Sequence, residues 1–347
     1  MRNNMMKSTI MTDIRKIEFS SRPVPTPKPG EVLVKVEYVG ICGSDLHYYE
    51  SGRIGNFIVE PPFVLGHEAS GTVVALGEGV TGLTVGTRVT MEPNVTCGEC
   101  EFCRSGKYNL CPEVSFFATP PVDGVFLEYV THPAKLCFPL PDNVSSLQGA
   151  LVEPLAVGFH AAQQADAKST DTAVVFGAGC IGLVTVMALK SRGISTIYSV
   201  DLVDSRLQIA ESLGATPINL CNEDALQRIR RDFPQGLDLA FETSGAEQAV
   251  LSSLNILKKG GTLVLIGYSK NDTMAIPTNF LIDNELTIRT IFRYRHVYPS
   301  IIEAIASGKI QPEKIVTNRF RFEEIPEAME QSLLCKEKIV KAVICCE

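Results

Sequence analysis

Short apolar runs bounded by glycine and proline alternate along this chain with longer stretches whose apolar positions recur every three or four residues. In the second half, TAVVF (172–176), TIYSVD (196–201), ATPINL (215–220), LDLAFETS (237–244), GTLVLIG (261–267) and LTIRTIF (286–292) read as six strands. Helical patterns separate them, among them LVTVMALKSRG after the first, so the alternation predicts a doubly wound α/β sheet of six parallel strands. In the first half, EVLVKVEYVG (31–40), ASGTVVAL (69–76) and TRVTME (87–92) are short strands punctuated by turn residues, the pattern of an all-β barrel. Two parts are therefore expected, and 347 residues with 45% hydrophobic content suffice for two cores.

Charge narrows the partners. Lys+Arg 32 against Asp+Glu 39 gives a net charge of -7, and the basic residues are scattered, which argues against nucleic acid. No run approaches the roughly 18 apolar residues of a membrane span, and MRNNMMKSTIMTDIRK lacks a signal-peptide core, so a cytoplasmic protein is expected. The first five residues precede a second plausible start, Met6, and read as an extension with no structural role. Eleven cysteines exclude complete intramolecular pairing and point to ligands or core fillers.

Spacing sorts those cysteines. Cys97, Cys100, Cys103 and Cys111 stand in CGECEFCRSGKYNLC, close enough for four thiolates to surround one tetrahedral ion with no position left for substrate. An iron-sulfur cluster uses four cysteines at other spacings, and four free thiols are the bland alternative. After TAVVF comes GAGCIG. Gly177 permits a tight turn, Gly179 lets backbone amides approach a pyrophosphate, and Gly182 allows close helix–strand packing. Cys180 and Ile181 fall inside this cofactor turn, Cys180 as a small packing residue rather than a reactive thiol. Asp201 ends the next strand 19 residues after Gly182, where an acid accepts from a ribose hydroxyl and repels a 2'-phosphate, favouring NAD over NADP. Arg206 either flanks the adenine or is a solvated charge. Cys42, His67 and Glu68 are the candidates for a second, open metal site, each an ordinary zinc ligand.

GHE at 66–68, GICGSD at 40–45, the four-cysteine loop and GAGCIG resemble the zinc-dependent medium-chain dehydrogenases over essentially the whole chain. HYYESGRIGNFIVEPPFVLGHEASG, SFFATPPVDG, LPDNV, ALVEPLAVGFHA and IFRYRHVYP are similar to the sorbitol (L-iditol 2-) dehydrogenase branch. The resemblance implies a GroES-like β-barrel catalytic domain over 1–152 and 291–347, a Rossmann NAD-binding domain over 153–290, and an active site in the cleft between them. It implies a homo-oligomer, tetramer or dimer, and oxidation of a polyol of sorbitol, L-iditol or xylitol type to the ketose. An alcohol or L-threonine dehydrogenase of the same family is the alternative.

The resemblance also assigns residues. Catalytic zinc falls on Cys42, His67 and a carboxylate, Glu68 directly with Glu153 close by; Glu153 replaces the cysteine of alcohol dehydrogenases proper. A zinc there acidifies a substrate hydroxyl, and NAD accepts the hydride. Ser44 is similar to the family's relay hydroxyl and His47 would carry the proton outward, their plainer roles being a turn cap and an exposed imidazole. Tyr48, Phe57, Phe116, Thr119, Glu153, Arg293 and Tyr294 match polyol-contacting positions. His132, His160 and His296 read as surface, helix-core and loop residues without a role.

Overall fold

The computed structural model describes residues 5–271 and 273–346. Residues 1–4 of the expected N-terminal extension lie outside these. Met5, assigned to that extension, instead belongs to the strand Met5–Asp13, which pairs antiparallel with Lys16–Pro23. Backbone pairing recruits it, since its side chain is exposed.

The chain divides into two compact units, the first comprising residues up to Glu153 together with Tyr298–Ala306 and the segment from Val316 onward. Its principal sheet has seven strands, with Cys137–Pro139, Arg88–Met91, Glu68–Leu76, Glu31–Gly40, Lys341–Cys345 and Val316–Arg321 following one another across it. Neighbours run antiparallel except the last pair. Tyr129–Pro133 and Lys341–Cys345 both pair with Glu31–Gly40, the former along its first half and the latter at its end. Gly40 consequently faces Glu68 on one side and Val343 on the other. Alternating side chains of these strands, including Val32, Val34, Val36 and Val73, enter one core with Phe126 and Met329.

The second unit comprises 154–297 and 307–315. Its sheet runs Thr216–Asn219, Ile197–Asp201, Ala173–Phe176, Leu237–Glu242, Leu257–Leu265, Thr287–Thr290, six strands all parallel. In chain order this is third, second, first, fourth, fifth, sixth, the doubly wound order that the alternation of strands and helices implies. The helix Cys180–Ser191 is buried without a break from Gly182 to Leu189, so its apolar residues need no polar face.

One histidine is not where sequence puts it. His132, read as a surface residue, is 1% exposed; its Nε2 lies 2.8 Å from the Glu92 carbonyl and its ring stacks near Phe117. Burial pushes its imidazole down to about 4. The strand Tyr129–Pro133 is too short for alternation to show, and an imidazole with one hydrogen-bonded nitrogen is tolerated inside. Among the described residues no helix is long and apolar enough to cross a membrane.

Candidate active site

Three side chains from two turns of the first unit converge. Ligand atoms of Cys42, His67 and Glu68 all lie within 4.8 Å of one another, with His67 and Glu68 buried and Cys42 partly so. Cys42 caps the helix Gly43–Ser51, and the Asp45 carboxylate accepts from the Cys42 N–H at 3.0 Å, the acid-at-the-third-position arrangement that begins many helices. The same carboxylate accepts from the Gly66 N–H at 2.9 Å and stands 3.4 Å from His67 Nδ1. Gly66 has φ +89, and a Cβ there would collide with the Phe126 ring, so the turn that presents His67 requires glycine. Asp45 thus ties both turns together and faces the imidazole's rear nitrogen.

Electrostatics follow that geometry. Burial disfavours a charged imidazole, but the Asp45 carboxylate and the Cys42 thiol outweigh it and hold His67 well above the usual histidine range. Burial likewise opposes ionisation of Asp45, and His67 with the two backbone N–H groups reverses this and lowers its carboxyl. The Glu68 carboxylate accepts from Lys341 Nζ through both oxygens, each at 2.8 Å.

The other sequence candidates distribute around and beyond this group. Glu153 is buried in the first turn of the helix Val152–Gln164, but lies outside the 4.8 Å group. Ser44 is half-buried and His47 exposed, both on the helix that starts at Cys42. Phe116 is buried with its ring 5.4 Å from that of His67, Tyr48 is buried, Thr119 is half-buried, and Phe57 is exposed. Arg293 and Tyr294 belong to the second unit, past the edge strand Thr287–Thr290. Arg293 has φ +52 with its guanidinium 5.0 Å from the Phe292 ring centre, and Tyr294 is 1% exposed.

In the second unit the turn after Ala173–Phe176 gives each glycine a distinct geometry. Gly177 has φ +91; a Cβ on Gly179 would meet nothing within 4 Å, and a Cβ on Gly182 would lie 1.7 Å from the Gly177 carbonyl. The turn is tight, open at its middle and closed at its base, and the open middle sits at the N-terminus of Cys180–Ser191. Cys180 and Ile181 are half-buried at that terminus. Asp201 Oδ2 accepts from the Ala178 N–H at 2.6 Å, Oδ1 accepts from Leu202 and Val203, and Arg206 stands 3.8 Å away. The acid therefore braces the turn from the neighbouring strand.

The four loop cysteines also converge, all sulfurs within 4.8 Å. Cys97 Sγ is 3.6 Å from that of Cys111 and 3.9 Å from that of Cys103. Backbone N–H groups of Glu99 and Cys100 hold the Cys97 thiol down to about 7. Cys100, although a backbone N–H from Cys103 favours its thiolate, is pushed up to about 11 by burial and its crowded thiol neighbours. A dication resolves that crowding, so the donor set fits zinc. Tyr108, within the loop, donates to Glu92 Oε1 at 2.7 Å. Burial, with the charge of Glu153 adding, pushes Glu92 up to about 7 although Tyr108 donates to it.

Sequence reasoning missed Asp45 and Lys341 as site residues. Asp45 carried a local signal, the acid three residues after a helix cap. Lys341 carried none, because only the sheet register brings it to Glu68.

Residues 28–142 match the alcohol dehydrogenase GroES-like domain family, and residues 180–307 match the zinc-binding dehydrogenase family. The chain is 43% identical to a sorbitol dehydrogenase of Bacillus subtilis over 98% of its length and 97% of that protein's. It is 40% identical to a probable D-xylulose reductase A of Aspergillus clavatus, covering 93% of this chain and 92% of the other. A solved Escherichia coli oxidoreductase/dehydrogenase of unknown specificity superposes with TM-score 0.94 at 41% identity, over 98% of this chain and 99% of that one. An Escherichia coli CFT073 alcohol dehydrogenase solved with NADH superposes with TM-score 0.91 at 30% identity, over 99% and 100%.

Proposed function

The chain belongs to the zinc-dependent medium-chain dehydrogenases, on the polyol dehydrogenase branch, and from this we propose that it oxidises a polyol of sorbitol, L-iditol or xylitol type to the ketose with hydride transfer to NAD. The observation that carries the reading is the Cys42–His67–Glu68 group, a partly buried thiol with a buried imidazole and carboxylate, their ligand atoms within 4.8 Å of one another. Three mixed donors fit a catalytic zinc, which keeps one position open, whereas four thiols fit a closed one. A zinc held there would polarise the substrate oxygen and make its hydroxyl more acidic.

The chain's own side chains supply the rest. Asp45 fixes the imidazole ring of His67, as carboxylates behind metal-binding histidines do, and raises its basicity. Ser44 receives the substrate proton and passes it to His47, whose exposure gives the proton a way to solvent. Glu153 supplies a second carboxylate to the metal and substrate. Phe116 and Tyr48 wall off water beside His67 and the helix cap. Phe57 and Thr119 add a rim and a hydroxyl for a multiply hydroxylated substrate, and the Arg293 fork, with Tyr294, serves a distal oxygen.

Gly177, Gly179 and Gly182 with Cys180 and Ile181 form the pyrophosphate cradle; the open space over Gly179 supports this. Asp201, anchored by three backbone N–H groups, presents a fixed negative charge that favours a ribose hydroxyl over a 2'-phosphate, and Arg206 flanks it. Cys97, Cys100, Cys103 and Cys111 hold a second, structural zinc. The edge strand Thr287–Thr290, exposed along most of its length beside exposed Phe292 and Ile282, supports pairing with a second copy in a homo-oligomer.

The test is initial NADH formation by zinc-loaded protein with D-sorbitol, xylitol, L-iditol, galactitol, D-arabinitol, L-threonine and ethanol. Turnover of a polyol well above ethanol and threonine supports the reading. Turnover confined to ethanol or threonine, or activity with NADP alone, overturns it.

A further inference from the structure

The second unit's sheet reverses its order between its first and fourth strands, Ala173–Phe176 and Leu237–Glu242, and a dinucleotide binds at such a reversal beyond the strands' carboxyl ends. Glu242 ends the fourth strand there, in register with Phe176 of the first, and is fully buried. A carboxylate at that depth is costly unless hydrogen bonds replace its water. Among the described residues loop donors rather than a cation do so. Oε1 accepts from the Ser244 N–H at 2.7 Å, from the Gly245 N–H at 3.0 Å and from the Ser244 hydroxyl, and Oε2 accepts from the Gly245 N–H at 3.0 Å. The side chain thus folds the loop back over the end of its own strand. Gly245, at φ +73, closes this bend where a Cβ would lie 2.0 Å from the Tyr268 carbonyl. Thr243, held between, shares its hydroxyl proton with the Phe176 carbonyl at 2.8 Å and the Gly177 carbonyl at 3.2 Å. The Gly177 carbonyl is the atom that a Cβ on Gly182 would strike. The candidate cofactor turn is therefore braced from both neighbouring strands, by Asp201 at the Ala178 N–H and by Thr243 at the Gly177 carbonyl.

We propose that Glu242 is a positioning residue for the cofactor. Through Ser244 and Gly245 it fixes Thr243, and Thr243 fixes the Gly177–Gly182 turn in the shape that admits a pyrophosphate. The inference rests on the reading of that turn as the NAD cradle; the metal group of the first unit takes no part in it. With the carboxylate removed, the loop loses its hold and the turn its second brace. The cofactor is then bound less tightly, while the reaction at saturating cofactor changes little.

The experiment titrates NADH into the full chain and reads its fluorescence, a signal that needs no turnover, beside initial rates at saturating NAD. Glu242→Ala should raise the NADH dissociation constant about tenfold or more. Glu242→Gln keeps Oε1 and its three donors but turns a second donor toward the Gly245 N–H, and should raise it only about threefold. Thr243→Val should raise it about fivefold, and should add nothing to Glu242→Ala. In all three, kcat at saturating NAD should stay within about threefold of the wild type. Thr172→Val is the structural control: it removes a 2.7 Å hydroxyl bond to Asp238 at the opposite ends of the same two strands, and should leave NADH affinity within about twofold. Wild-type affinity in a folded Glu242→Ala, a glutamine variant as weak as alanine, a Thr243→Val loss that adds in full, an equal loss in Thr172→Val, or a fall in kcat with affinity intact overturns the proposal. Should Glu242→Ala not fold, Glu242→Gln is added to Thr243→Val instead; no further loss supports the proposal and a full threefold loss overturns it. A wild type that binds no NADH overturns the reading of the turn as an NAD cradle, and the inference with it.

Discussion

The two cysteine-bearing clusters of the first unit are built in opposite ways. Cys97, Cys100, Cys103 and Cys111 come from one short loop, three of them half-exposed, and their sulfurs face each other and backbone N–H groups. Cys42, His67 and Glu68 come from separate turns locked together by a sheet, and each has a charged or hydrogen-bonding partner behind it: Asp45 for Cys42 and His67, Lys341 for Glu68. Local loops suffice to close a site with like donors, whereas unlike donors with an open position need partners that only tertiary structure supplies. On the proposed function, one cluster would hold the chain and the other would serve chemistry.

The sharpest way to break this division is to remove one thiol from each cluster. Cys42→Ser should reduce kcat/KM by about 10³-fold or more with little change in thermal midpoint. A well-folded Cys42→Ser protein with near-normal turnover would remove the candidate site. Asp45→Asn keeps the shape but weakens the hold on His67, and should cost about 10- to 100-fold in zinc affinity or turnover, measured by metal competition and initial rates. Cys100→Ser should lower the thermal midpoint by about 5 °C or more, read by calorimetry, while turnover per folded chain stays within about twofold. Equal loss of turnover in Cys42→Ser and Cys100→Ser would erase the contrast.

The smallest effect concerns the residues beneath the cysteine loop, where Tyr108 of the loop meets Glu92 and the Glu92 carbonyl meets His132. Folded His132 titrates at about 4 rather than 6.5, so between these values the unfolded chain binds the extra proton and stability falls as the pH falls, by up to about 1.4 kcal/mol per pH unit. His160, also lowered to about 4, acts in the same direction. Glu92 titrates at about 7 rather than 4.5, so there the folded chain binds the extra proton and stability rises as the pH falls from 7 to 4.5. The contributions oppose one another between pH 4.5 and 6.5. Glu92→Gln removes one side, so its unfolding free energy by denaturant titration should decline more steeply than the wild type's as pH drops through that window. A parallel pair of curves would show that Glu92 does not titrate there.

Periodicity made the six-stranded sheet legible, since strands such as Ala173–Phe176 are buried on both faces and separated by helices of ordinary length. The glycine turn and the cysteine loop were legible because their chemistry is contiguous. Cys42, His67 and Glu68 were legible only as candidates: their meeting depends on the pairing of Gly40 with Glu68. Lys341 was illegible, a lone lysine 273 residues from its partner, in a strand whose register no local pattern specifies. His132 was misread for a related reason, as the Glu92 carbonyl that satisfies it comes from another strand's end.

Gly40 gives the site a vulnerability of unusual economy. The space beside its α-carbon is filled by the end of a side chain that comes from the adjacent strand. A single added methyl group, far too small to count as a change of core volume, would evict the Glu68 carboxylate from its place without replacing any candidate ligand. In this protein a missing carbon atom acts as part of the site.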